Sequence, residues 1–141
     1  MTFMRAAPPT TPWWNGGDAF RTRLFDALSL VIPAGEQFLI DAVGQWLHEA
    51  RQQTSTSTSA SMNLLQHEAE RFLSEEKTHQ RAHHRYNERL QTHAPAQQLE
   101  RAIAQAMAPM SGWRLPTRLA FAADIEHLTA IVSAEILRND G

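Results

Sequence analysis

Apolar residues return every three or four positions along most of the chain and do not alternate in strict pairs, so the pattern predicts helices and no strands. A short leading helix from Asp18 to about Leu30 carries Phe20, Leu24 and Leu28 on one stripe. Pro33 then opens a second helix, because a proline is well suited to a first turn, where its missing N–H would have no partner. That helix runs to about Gln52 and carries Phe38, Leu39, Ile40, Val43, Trp46 and Leu47. A long helix follows from about Met62 to Thr92, ending before Pro95, and Gln97 to Met110 reads as a weaker helix rich in alanine and glutamine. Gly112 and Pro116 break the chain again, and Thr117 to Arg138 forms the last helix. The run Thr54 to Ser61 is of low complexity and reads as a linker. Residues 1–17 form an irregular arm, rich in proline, threonine and glycine, that Trp13 and Trp14 dock onto the body. The expected architecture is all-α: one domain over 18–141, with three main helices and a short leading one.

Polar residues interrupt the inward stripes at particular places. On the long helix, Leu65, Ala69, Phe72, Glu76, His79, His83, Tyr86 and Leu90 share one face, apolar at both ends and polar in the middle. Lys77, Gln80, Arg81, Glu88 and Arg89 lie opposite, toward water. In the helix after Pro33, Glu36 shares a stripe with Ile40, Val43 and Leu47. In the last helix, Glu126 shares one with Leu119, Ala122, Ala130, Ser133 and Leu137. Three glutamates and a histidine thus point toward a common interior. Buried carboxylates without partners are costly, and neighbouring ones must take up protons unless a cation joins them. Glu76 and His79 form Glu-x-x-His, the spacing of carboxylate-bridged di-iron bundles, in which single glutamates from two other helices complete half of the site. A lone Glu-x-x-His is common on solvated helix faces; the coincidence with Glu36 and Glu126 is what marks a metal site. The expected ligands are Glu36, Glu76, His79 and Glu126. His83, Tyr86 and Glu135 are candidates for an additional ligand or a supporting hydrogen bond, with ion pairing the expected role for Glu135. His48, His67, His93 and Glu75 read as surface residues, and His127 as either a surface residue or one that supports a ligand from behind.

Composition narrows the picture further. At 141 residues with a net charge of −2, the chain fits one domain with no bulk attraction to nucleic acid. It contains no cysteine, which excludes disulfides and thiolate sites. No apolar run approaches the roughly 18 residues of a membrane span, and the N-terminus has no signal-type apolar segment, so a cytoplasmic location is expected.

The segments IPAGEQFLIDAV, ERFLSEEKTHQRAHHRYNERL and IEHLTAIVSAEIL resemble the predicted metal-dependent hydrolases, a bacterial family of ferritin-like helical proteins. The matching positions are Ile32-Pro33-Ala34-Gly35-Glu36, then Glu75, Glu76 and His79 with His83, Tyr86 and Asn87, then Glu126-His127-Leu128-Thr129-Ala130. Ile32 stands where the family has an aromatic residue, and Glu75 where it has glutamine. The family pattern also continues into a further helix with a second Glu- and His-bearing motif, which these residues do not carry. The resemblance implies hydrolysis of a small-molecule substrate with one or two divalent transition ions, Fe, Mn or Zn. Two other readings use the same residues: a di-iron oxidase or oxygenase, and a shortened, noncatalytic helical interaction module. A homodimer is expected, since a second copy could cover the apolar seam and complete a two-metal site.

Overall fold

A computed structural model of the chain describes residues 12–53 and 59–139. The elements are α1 (Ala19–Gln53), α2 (Ala60–Asn87), α3 (Ala94–Met107), a 3-10 turn (Ala108–Gly112) and α4 (Leu115–Asn139). No strand occurs among the described residues. The arm before Pro12 and the linker positions Thr54 to Thr58 lie outside them; Ser59 caps α2 by accepting from the Met62 N–H at 3.3 Å.

The expected break at Pro33 is absent, and α1 runs through it. A proline within a helix deprives the carbonyl four residues earlier of its donor and costs about 3 kcal/mol. Here that carbonyl belongs to Ser29, and the Nδ2 of Asn87 donates to it at 2.8 Å. The Pro33 carbonyl in turn accepts from Gln80 Nε2 at 3.2 Å. Thus α2 supplies the hydrogen bonds that keep α1 whole. The fused helix is long and apolar enough, by length and composition, to cross a membrane, which neither expected half would be. In this fold it is the central helix: it packs against α2, α3 and α4 and buries Asp26, Ser29 and Glu36.

The first half of α1 also faces differently from expectation. Phe20, Leu24 and Leu28 are exposed, Phe20 at 75%. The buried face is Thr22, Asp26, Ser29 and Leu30. It meets the polar end of α2, where Tyr86 donates to Asp26 Oδ1 at 2.6 Å and Asn87 joins Ser29. The leading stripe therefore does not shield the core. Trp14 does dock as expected, packing against Phe25 and Tyr86 and donating Nε1 to Asp26 at 3.4 Å.

Residue pairs Ser29/Asn87, Pro33/Gln80 and Arg51/Glu70 step in opposite directions, so α1 and α2 are antiparallel. Helix α2 ends at Asn87, short of Thr92, and the turns that follow bury Leu90. On α4, Arg118 donates to Gln45 at 2.7 Å and its guanidinium lies over Phe38. The apolar centre consists of Phe38, Leu39 and Ala122, with Phe72, Met107, Met110, Phe121 and Ile125 packed around them. Beyond Glu126, α4 leaves the body: Ala130 and Ser133, expected inward, are exposed, as are Leu128, Ile131 and Val132. The side chain of Leu137 lies outside the described residues.

Candidate metal centre

Glu36 comes from the middle of α1, and Glu76 and His79 come from adjacent turns of α2. One donor atom from each lies within 4.8 Å of the others. Both carboxylates are buried, at 6% and 5% exposure. His79 is about half exposed, with Nδ1 3.4 Å from Glu76 Oε1, so the cluster opens to solvent on its side. The Oε2 of Glu36 is buried and has no hydrogen-bond partner.

That orphaned oxygen shapes the electrostatics. Burial, then the charges of Glu76 and Glu126, push the Glu36 carboxyl up to about 7. Burial and Glu126 also raise Glu76, against the opposing pull of His79. Glu126, half-buried on α4, stands outside the tight trio but close enough for its charge to act on both carboxylates. A cluster of acceptors with a dry, unserved carboxylate oxygen is what a divalent cation would satisfy, so the donor set fits a metal ion.

His83 sits one turn below His79, with Nδ1 2.9 Å from Ser29 Oγ. The direction of that bond follows from its neighbours. Asn87 Nδ2 donates to the Ser29 carbonyl, so Asn87 Oδ1 is the acceptor that takes the Ser29 hydroxyl proton at 2.8 Å. With its own proton committed, Ser29 Oγ can only accept from His83. Nδ1 therefore carries the hydrogen, and Nε2 keeps its lone pair. Burial, with the charges of His79 and His84, holds the imidazole below its ordinary value.

The remaining expected residues lie elsewhere. Tyr86 donates to Asp26 and is covered by the Arg89 guanidinium 3.8 Å from its ring centre. Burial and the Asp26 hydrogen bond push its phenol well up. Glu135 is exposed and paired with Arg138 at 2.9 Å, about 13 Å along the helix from Glu126. Asp26 and Ser29 went unnoticed in the sequence, and Asn87 entered only as a position of the family motif, with no role assigned. A signal for both was present: Thr22, Asp26, Ser29, Pro33 and Glu36 recur at alternating steps of four and three, a largely polar stripe that continues into Glu36.

No curated protein and no solved structure matches the chain. A family does: the one described as predicted metal-dependent hydrolase matches residues 1–141, and the chain belongs to it.

Proposed function

We propose that the protein is a hydrolase whose divalent cation is held by Glu36, Glu76 and His79, with Glu126 as the donor from α4. The observation that carries this reading is the Glu36 carboxylate, buried beside Glu76 with one oxygen unserved. Two carboxyls in that position resist ionising together, and a cation relieves both the repulsion and the lost hydration. Carboxylates with one imidazole suit Fe, Mn or Zn. When bound, such an ion lowers the pKa of a coordinated water and polarises the scissile group.

The chain's own residues supply the rest. Glu36 and Glu76 anchor the ion from two antiparallel helices, so the site depends on the α1–α2 pairing. His79, at the open side, leaves a route for substrate. His83 offers Nε2 as a proton acceptor, with Ser29 fixing the tautomer and burial keeping the ring neutral near pH 7. One tight donor group occurs among the described residues, which supports one ion per chain.

The test is metal stoichiometry and hydrolysis together. The protein is loaded separately with Mn, Zn or ferrous iron, freed of excess, and assayed on chromogenic carboxylic and phosphoric esters. About one ion per chain is expected, with Glu36→Gln losing both the ion and the turnover. A folded protein that retains no ion would instead favour a binding or assembly module.

A further inference from the structure

A groove of about 420 Å³ runs along the body between α1, α2 and α4. Ala69 and Ala122, almost fully buried, form its floor. Trp46 and Phe72 make its walls, and Leu65 and Ala123 stand exposed at its rim. Its inner end is Glu126, the α4 carboxylate whose charge acts on Glu36 and Glu76. Apart from Glu68 on α2, the rest of the lining is apolar.

The direction of the groove follows from the helix register. Phe72 lies one turn from Glu76, and Ala122 one turn from Glu126. Trp46 and Leu65 lie about 15 Å along their helices from Glu36 and Glu76. The groove thus leads from the metal centre toward the far end of the bundle. That volume lies within the range of pockets that hold small molecules. An extended hydrocarbon chain matches both its elongated course along three helices and its almost wholly apolar lining. A polar chain would leave its hydrogen-bonding groups unpaired against this lining.

We propose that the groove holds the tail of the substrate, a linear medium-length acyl chain whose ester end lies at Glu126. This rests on the hydrolase reading. Hydrolysis there joins the oxygen of water to the acyl carbon and breaks the acyl C–O bond. One water proton passes to the leaving alkoxide oxygen, giving a carboxylic acid and an alcohol with no change of oxidation state. The groove's apolar length selects among esters, while the carboxylate–histidine cluster acts on the bond they share.

Binding of straight-chain alcohols, from butan-1-ol to decan-1-ol, tests the tail site without turnover. The intact protein is titrated by calorimetry, metal-free and metal-loaded. Affinity is expected to rise about two- to fourfold per methylene in both states, then level off once the groove is filled. Ala123→Trp and Leu65→Trp, both at exposed rim positions, should flatten that dependence while circular dichroism and metal stoichiometry stay unchanged. Equal affinity across the series overturns the proposal. So does a wild-type dimer in sedimentation that the rim variants convert to monomer, since a second copy would then cover the groove. Metal binding without length dependence overturns the tail site and leaves the hydrolase reading intact. Length dependence without metal binding overturns the hydrolase reading and the ester assignment, and leaves the tail site.

Discussion

Asn87 donates to the carbonyl of Ser29 at 2.8 Å, the carbonyl that Pro33 leaves without a backbone donor. A proline in one helix is thereby answered by an asparagine in another. The same asparagine also orients the Ser29 hydroxyl toward itself and away from His83.

Asn87→Ala is expected to destabilise the fold by about 1–3 kcal/mol, because it leaves the buried Ser29 carbonyl unserved. In a Pro33→Ala background the loss should shrink by about 1 kcal/mol or more, since the substituted alanine would bring its own backbone N–H to the Ser29 carbonyl. Urea unfolding of the four proteins in a double-mutant cycle measures the coupling. Strictly additive losses would contradict the linkage.

Metal-free protein should lose stability as the pH rises toward 8. Glu36 titrates near 4.5 when unfolded and near 7 in the fold, so between those values the folded state binds more protons. The contribution is complete below about 4.5 and is lost as the pH passes through about 7. The difference across this window is on the order of 2–3 kcal/mol. Thermal melts from pH 5 to 8 read it directly, and Glu36→Gln should flatten the curve. With metal present, the trend reverses: protons compete for Glu36 and Glu76, so affinity falls as the pH drops below about 7.

His79→Ala should weaken metal binding by more than about a hundredfold, whereas Arg81→Ala should leave it unchanged. The two lie close together on α2, but only His79 offers a donor atom to Glu36 and Glu76. Competition against a chelator of known affinity provides the measurement. Equal retention by both variants would remove His79 from the ligand set.

Nitrogen chemical shifts should report His83 as the Nδ1–H tautomer at pH 8. Ser29→Ala removes the acceptor of that hydrogen, and the tautomer preference should be lost while the far-ultraviolet circular dichroism persists. An unchanged tautomer would mean that Ser29 does not set it.

The pattern of the sequence carried Glu36 and Glu76 to the interior because each interrupts a long apolar stripe at helical spacing. It could not place His79 on a half-open edge, since exposure there depends on where α1 and α4 end up, and no local spacing encodes that. It also divided α1 at Pro33. The local rule was sound, for the hydrogen bond is indeed lost; its replacement comes from Asn87, distant in sequence, and only tertiary contact reveals it. The choice of Phe20, Leu24 and Leu28 as the inward stripe failed for a related reason. A polar face meeting another polar face can be buried when each group finds a partner, as Asp26 and Ser29 do, and apolar periodicity is blind to that exchange.

The antiparallel pairing of α1 with α2 also sets an order of assembly. Glu126 lies more than twice as far along the chain from Glu36 as Glu76 does. Closing the shorter loop forfeits less chain entropy, which favours pairing of α1 with α2 before α4 settles on them. Three of the four proposed donors would then be gathered before the bundle is complete. Under the proposed ligand set, an ion present during synthesis would be captured by the nascent hairpin, and metal supply would then influence folding yield.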